Sequence, residues 1–519
     1  MSTVRDVVMQ LLRELEMTTV FANPGSTELP MFRNFPSDFR YVLGLQEGVV
    51  VAMADGYAQA RRKPALVNLH SAAGVGHSLG NLFTASRNHA PIVVTAGQQA
   101  RSMLGNEPFL YAKDAARFPE PYIKWGVEPA RAEDVPGAIA TACHIAVQPP
   151  QGPTFVSIPI DDWDRACEPV SVRSVNTTIR APDSQIAATA GAMNNAENPV
   201  LVVGAGVARD DAWDGTITLA ERFQTPVWVS PMSGRNSFPE DHPLFAGFLP
   251  ASREGIVAAL EGADLILVLG APVFTYHVEG HGPAIPDGAA LVQLTDDAGA
   301  AARAAVGSSV LTNLSTGVAD LLAATEGMAR TAKPRLLRRD SVSPGRLTDA
   351  YLMQQIAKLR PQQSVIVEEA PSSRGAMHEH LPIVARDGFY TCASGGLGYS
   401  LPAAIGIALA RPREKVIALL GDGSSMYTIQ GLWTAARLDL PITFIIVNNG
   451  GYRALEGFAE RFGIQAPPGI EIPRLDFVGL AEAQGVAGRR VDSPATLDEA
   501  LDGAFASPSP QLVEVVIDY

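Results

Sequence analysis

The chain has 519 residues, 47% of them hydrophobic and 18% charged, with a net charge of −14. That length makes about three domains, each able to bury a core, and the composition is that of folded globular material. The acidic balance argues against a nucleic-acid or anionic-membrane surface and leaves a small molecule as the expected ligand. Cys143, Cys167 and Cys392 are odd in number and far apart, which suits neither a disulfide framework nor a cysteine metal site, so a reducing, cytoplasmic compartment is expected. The first fifteen residues break their apolar positions with charges at helical spacing and predict an amphipathic helix, not a signal peptide. No apolar run approaches the roughly 20 residues of a membrane span.

Taken in order, residues 19–22, 39–43, 64–69, 91–96 and 153–158 read as strands of one parallel sheet with helices between them. Asn23-Pro-Gly-Ser26 closes the first strand and Asn68-Leu-His70 the third, so Ser26 and His70 project from one strand-end face. Glu47 opens a helix whose next residues are small and apolar. Its carboxyl is expected against apolar surroundings, which favours the neutral form; a plain helix-start acid favoured by the dipole is the alternative. Residues 164–184, polar and without periodicity, read as a linker.

A middle unit runs through apolar strands at 198–206, 226–229 and 263–270, and Phe274-Thr-Tyr-His277 follows the last of these. Gly204-Ala-Gly206 invites a dinucleotide assignment, but Arg209 stands where the third glycine belongs, so a Rossmann-like domain kept for structure is expected, without FAD. Residues 326–346, with the basic run Lys333 to Arg339, read as a second, solvated linker. The last unit repeats the strand–helix rhythm at 364–368, 389–392, 415–420, 442–447 and 512–517. The expected fold is therefore α/β, three doubly wound parallel-sheet domains spanning 1–180, 181–335 and 345–519.

Chemistry concentrates in the last unit. The apolar run from Val416 stops at Gly421-Asp422-Gly423, where two glycines allow a tight turn with outward N–H groups, and Ser424 reads as the N-cap of a following helix: an anion site. The run from Ile442 ends in Asn448-Asn449-Gly450. Asp422 and Asn449 are 27 positions apart, enough for a strand–helix–strand crossover, so acid and amide both land at carboxyl ends of parallel strands. Two hard oxygen ligands beside a phosphate cradle suit Mg²⁺ bridging a diphosphate.

Gly421-Asp422-Gly423, 24 residues and then Asn448-Asn449 resembles the diphosphate and metal motif of thiamine diphosphate (ThDP) enzymes. The three-unit layout resembles the 2-keto acid decarboxylases among them, with pyrimidine-binding, middle and diphosphate-binding domains in that order. The resemblance implies ThDP with Mg²⁺, or Ca²⁺ in its place, held by Asp422, the Asn449 side chain and the Gly451 carbonyl, with Gly421, Gly423, Ser424 and Tyr452 around the diphosphate. It implies that Glu47 holds the aminopyrimidine nitrogen so that the ring can take the thiazolium proton. Leu397, after the glycine turn at Gly395, wedges the two rings, and Ser372 adds a cofactor contact. Since Glu47 and the metal site lie in different domains, joined in the family across subunits, a homodimer or homotetramer is implied.

The likeness is strongest to the benzoylformate decarboxylase subgroup, where Ser26, Glu47, His70, Leu110, His277, Ala454 and Phe458 fall on functional positions; Leu455 extends the apolar pocket. It implies non-oxidative decarboxylation of an aromatic 2-keto acid to an aldehyde and CO₂ through a ThDP enamine. Ser26 then orients the carboxylate while His70 and His277 move protons. His77 and the remaining histidines carry no such support and read as structural. Pro371, Thr391 and Gly451 depart from the subgroup pattern around the pocket. A carboligase or lyase, or a noncatalytic ThDP-binding protein, is the alternative.

Overall fold

The computed structural model describes residues 2–327, 341–343, 345–472 and 475–517. The N-terminal amphipathic segment is helix α1 (Val4–Glu14), closed by a reciprocal cap between Thr3 and Asp6, with Val4, Val7, Val8, Leu11 and Leu12 on its buried face. Among the described residues, eighteen strands form three sheets of six.

The first sheet holds β1 (Thr19–Asn23), β2 (Arg40–Leu43), β3 (Ala65–Leu69), β4 (Ile92–Gln98), β5 (Trp125–Val127) and β6 (Thr154–Pro159), in the order β2-β1-β3-β4-β6-β5, every pair parallel. Helices α2 (Glu47–Arg61) and α3 (Ser71–Arg87) follow β2 and β3. The second holds β7 (Pro199–Val203), β8 (Val227–Val229), β9 (Phe245–Phe248), β10 (Leu265–Leu269), β11 (Ala290–Thr295) and β12 (Ser308–Leu311), ordered β12-β11-β10-β7-β8-β9 and again parallel. The third contains β13 (Val365–Glu369), β14 (Phe389–Thr391), β15 (Val416–Gly421), β16 (Ile442–Asn448), β17 (Ala487–Val491) and β18 (Gln511–Val516); β13, β15, β16, β18 and β17 lie side by side and parallel. Two compact units result. Met1–Val175, Val342–Leu381 and Ser394–Tyr519 make one, and Asn176–Ser341 with Pro382–Ala393 the other.

The doubly wound α/β class expected from the sequence is the observed one, and the expected strands all form. Five strands went unread: β5, β9, β11, β12 and β17. Four of them are sheet edges, where a strand has one neighbour and no need of an unbroken apolar run; β17 (Ala-Gly-Arg-Arg-Val) is mostly exposed. Residues 163–182 hold neither helix nor strand, as a linker requires. Of the second linker, residues 328–340 and 344 lie outside the described residues.

In the first unit, α2 lies against the Ser400–Ala410 helix at glycine-limited distance. A Cβ on Gly56 would sit 2.4 Å from the Ala403 carbonyl oxygen, and one on Gly406 only 1.9 Å from that of Met53. Buried Asp55 adds a polar tie: one carboxylate oxygen accepts from Gln59 and from the Tyr399 hydroxyl, the other from Asn88. Backbone cannot retreat as a side-chain end can, so Gly406→Ala should destabilise by about 1–3 kcal/mol and lower the melting temperature by a few degrees; an unchanged melting curve would show that the helices are free to separate.

Candidate active site

In the first sheet β1 is followed by β2 on one side and β3 on the other, so the crevice at the carboxyl ends of β1 and β3 is a topological switch point, where doubly wound sheets bind ligands. The β1 loop carries Gly25, Ser26 and Glu28, and β3 delivers His70 as the residue before α3. Glu28 is 1% exposed, and its two oxygens accept four hydrogen bonds, from Gly25 N–H (2.8 Å), Gly97 N–H (2.8 Å), the Thr27 hydroxyl (2.6 Å) and His70 Nδ1 (2.8 Å). An ionised carboxylate can only accept, so with Glu28 ionised the proton of this contact lies on His70 Nδ1 and Nε2 is left for another partner. Gly25 makes this possible, since a Cβ there would lie 2.1 Å from His70 Nδ1.

Ser26 is exposed on the same loop. Glu47 is the first residue of α2, as expected, and its side chain is 12% exposed. Its surroundings are not purely apolar: Oε2 lies 3.1 Å from Nδ1 of His77, one helical turn-pair beyond His70 on α3. His77, read as structural, thus faces Glu47, and its spacing from His70 was the available signal. Glu28 was missed although it stands two residues after Ser26; an acid so close to an apolar strand end must find donors or a counter-ion. Leu110 adopts φ +67°, its carbonyl accepting from the Ser71 hydroxyl (2.7 Å) beside His70.

A second group forms at the carboxyl ends of β13, β15 and β16. Asp422 is 4% exposed; its oxygens accept from Gly423 N–H (2.7 Å) and Gly451 N–H (3.0 Å). Burial pushes this carboxyl above the usual aspartate range, against the opposing N–H bonds of Gly423, Gly450 and Gly451 and the weaker pull of Arg453. An acid desolvated that far, with backbone amides as its hydrogen-bond donors, fits a bound cation, which supplies the counter-charge. Asn449 Oδ1 shares the Gly451 N–H (3.2 Å), which turns the amide oxygen toward the same loop. Among the described residues no three His, Cys, Asp or Glu side chains converge as a metal cage. A cation here must be completed by ligand oxygens, as Mg²⁺ on a diphosphate is.

The glycines of this loop are dictated by contact. A Cβ on Gly423 would meet the Tyr452 ring at 2.4 Å, and one on Gly451 the Ile470 carbonyl at 2.6 Å, because residues 470–472 run antiparallel across the loop. Ser424 is not the N-cap expected of it. Gly421, extended at φ −76° and ψ 156°, takes that position, the helix starts at Asp422, and Ser424 is buried inside the first turn. The Ser372 hydroxyl accepts from Ala454 N–H (3.0 Å), joining the end of β13 to the Ala454–Arg461 helix, on which Phe458 is half-buried and Leu455 exposed. Leu397, half-buried, follows Gly395 (φ +74°) and precedes Gly398 (φ +92°).

The polar partners of Glu47 and His70 come from the first sheet and its helices, and those of Asp422 and Asn449 from the third. His277 belongs to the second unit, exposed on the loop after β10, with its N–H donating to the Ala251 carbonyl. In that unit the glycine pair is closed rather than open: Gly206 N–H donates to the Gly270 carbonyl, and a Cβ on Gly206 would lie 2.7 Å from Gly270 Cα. Arg209, in the third-glycine position, pairs with Asp296 at 2.7 Å.

Residues 2–117 match the N-terminal TPP binding domain of thiamine pyrophosphate enzymes, 186–321 their central domain and 371–515 their C-terminal TPP binding domain; thiamine pyrophosphate and ThDP are one molecule. The chain is 42% identical over 521 residues to benzoylformate decarboxylase of Pseudomonas aeruginosa, covering 99% of each. The crystal structure of benzoylformate decarboxylase from Polynucleobacter necessarius superposes with a TM-score of 0.98 at 38% identity, and that of the ThDP-dependent 4-hydroxybenzoylformate decarboxylase of Rhodococcus jostii with 0.98 at 42%; each match covers 100% of this chain and 99% of the other. Asp422→Ala should abolish Mg²⁺-dependent ThDP uptake in calorimetry, whereas retained tight uptake would move the cation elsewhere.

Proposed function

The chain belongs to the thiamine pyrophosphate enzyme family, and from that premise we propose that it decarboxylates an aromatic 2-keto acid of the benzoylformate type, without oxidation, to an aldehyde and CO₂. The observation that carries this reading is His70 held by Glu28 at the first-sheet crevice in a chain that matches benzoylformate decarboxylase from end to end. ThDP is the cofactor. Bound, it supplies a nucleophilic carbon and an electron sink for the bond to the departing CO₂.

Asp422, Asn449 and the Gly451 carbonyl hold Mg²⁺, or Ca²⁺ with the same oxygen set, and Gly421, Gly423, Ser424 and Tyr452 surround the diphosphate. Glu47 bonds the pyrimidine ring, with His77 beside it. Leu397 and Gly395 form the ring floor, and Ser372 adds a cofactor contact, its hydroxyl also accepting from Ala454 N–H. Ser26 donates to the substrate carboxylate. His70 donates from Nε2 to the developing alkoxide, since Nδ1 is committed to Glu28. His277 delivers the proton that ends on the product carbon. Leu110, Ala454, Leu455 and Phe458 give the aryl group an apolar wall.

The polar partners of Glu47 and Asp422 come from different sheets, which supports sites completed between copies in a homodimer or homotetramer. The exposed apolar side chains Met103, Phe109 and Phe118 after β4 offer area for a second copy to cover. Domain limits at 1–180, 181–335 and 345–519 and a cytoplasmic location complete the proposal; the three buried free cysteines are compatible with a reducing compartment. No described helix is long and apolar enough to cross a membrane.

Purified protein with ThDP and Mg²⁺ should release CO₂ and benzaldehyde from benzoylformate in preference to pyruvate or branched-chain keto acids; acyloin or acetolactate as the main product would favour a carboligase. His70→Ala should cut turnover by about 10²–10⁴, the usual scale for a proton-transfer group. Glu28→Gln removes one charge-assisted acceptor and should lower kcat/KM by about 10–100-fold with ThDP affinity unchanged. Wild-type kinetics in both variants would refute the role of the pair.

A further inference from the structure

Two adjacent acids end β13, both essentially buried and facing opposite ways, as strand neighbours must. Glu368 is accounted for by Arg374 (2.7 Å) and the Ala370 N–H. Glu369 has a different set of partners. Its carboxylate accepts from three consecutive backbone amides, Gly398 (2.5 Å), Tyr399 (2.8 Å) and Ser400 (2.7 Å), at the start of the Ser400–Ala410 helix.

These amides follow directly on Leu397. The turn before them, Ser394 to Gly398, contains three glycines, two at positive φ, and a glycine-rich segment has the most backbone freedom to lose. Its shape must be imposed from outside. Glu369 grips it from the sheet. The Asn81 side chain reaches the Gly398 carbonyl (3.4 Å) from α3, and the Thr84 hydroxyl lies 2.8 Å from that of Ser394. A Cβ on Gly398 would stand 2.7 Å from the Tyr427 Cβ, so the turn cannot shift that way. Tyr399 is held at both ends, its N–H by Glu369 and its hydroxyl by Asp55. Burial raises the Glu369 carboxyl to about 7 even against the opposing pull of the three N–H bonds. Without those bonds it would lie higher still.

We infer that Glu369 is a positioning residue for the cofactor rings: by holding residues 398–400 it sets the place of Leu397, and it acts on ring binding through carboxylate bonds to Gly398, Tyr399 and Ser400, outside the Gly421–Ser424 loop. The inference rests on the proposed role of Leu397 as the ring floor. Glu369→Gln exchanges one acceptor oxygen for an amide donor facing backbone N–H groups, so at least one of the three bonds is lost.

The test uses the full chain freed of cofactor, titrated with Mg²⁺ plus ThDP and separately with Mg²⁺ plus inorganic pyrophosphate. E369Q should weaken ThDP about ten- to a hundredfold and leave pyrophosphate affinity within about twofold. G398A, which strains the same turn from the other side and spares the buried acid, should give the same split and serves if E369Q does not fold. On an L397A background, E369Q should add little further loss, because contacting residues acting through one another are non-additive. Equal weakening of both ligands, or full additivity, would reduce Glu369 to a general structural acid and overturn the inference. L397A binding ThDP as tightly as wild type would overturn the ring-floor assignment and this inference together; L397A weakened, with E369Q and G398A unaffected, would overturn this inference alone.

Discussion

The approach of α2 to the Ser400–Ala410 helix is the constraint on which the first unit depends. One helix begins with Glu47 and the other just after Leu397, and where Gly56 meets Ala403 and Gly406 meets Met53 no Cβ could be accommodated. At such a distance the helices cannot slide or rotate independently, because backbone pressed against backbone has no rotamer to adjust. Asp55 reinforces this by accepting from Tyr399 on one oxygen and Asn88 on the other, so α2, α3 and the Tyr399 turn share one buried anion. In an assembly whose sites are completed between copies, the acid proposed to act on the pyrimidine and the turn proposed to bend the rings serve different sites, and one rigid element pair carries both.

A second regularity concerns buried carboxylates. Glu28, Asp55, Glu369 and Asp422 are each almost fully removed from water, and burying an ion costs several kcal/mol unless donors replace its hydration. Glu28 accepts from a histidine, the β1 loop and β4, Asp55 from three side chains, and Glu369 from a helix start. Asp422 accepts from the backbone N–H groups of Gly423 and Gly451, and it is the one at the proposed cation site.

Much of this was legible in the residues, and what was not has a physical reason. Central strands, buried on both faces, announce themselves as apolar runs, which is why β3, β7, β10, β15 and β16 were readable; β17 and β12 are half-exposed edges whose pattern is set by neighbours distant in sequence. Glycine–acid–glycine followed by paired asparagines is local and could be read as a diphosphate and metal loop, whereas the cap at Gly421 and the crossing of residues 470–472 over Gly451 depend on three-dimensional closure. Ser26 and His70 were readable because strand ends point to one face. Glu28 was not, since its importance lies in the donors that surround it, one of which, Gly97, comes from a strand 69 positions away.

A doubly wound six-stranded sheet occurs three times among the described residues, twice with one strand order and once, in the middle sheet, with another. At the β1/β3 crevice the loops leave room for a histidine ring over Gly25 and supply a buried acid to orient it. Between β13 and β15 they present Ser372 on one side and Asp422 on the other. Between β7 and β10 the equivalent space is filled: Gly204 and Gly206 lie so close to Gly270 and Ala271 that their missing side chains are what allow the strand ends to touch. The glycines here admit a neighbouring backbone, and Arg209 pairs with Asp296. A doubly wound sheet thus offers a crevice by topology alone. Whether it serves as the proposed proton-transfer site, as the proposed cation and diphosphate anchor or as a closed packing seam is decided by a handful of side chains at the strand ends and by how closely the two loops are allowed to approach.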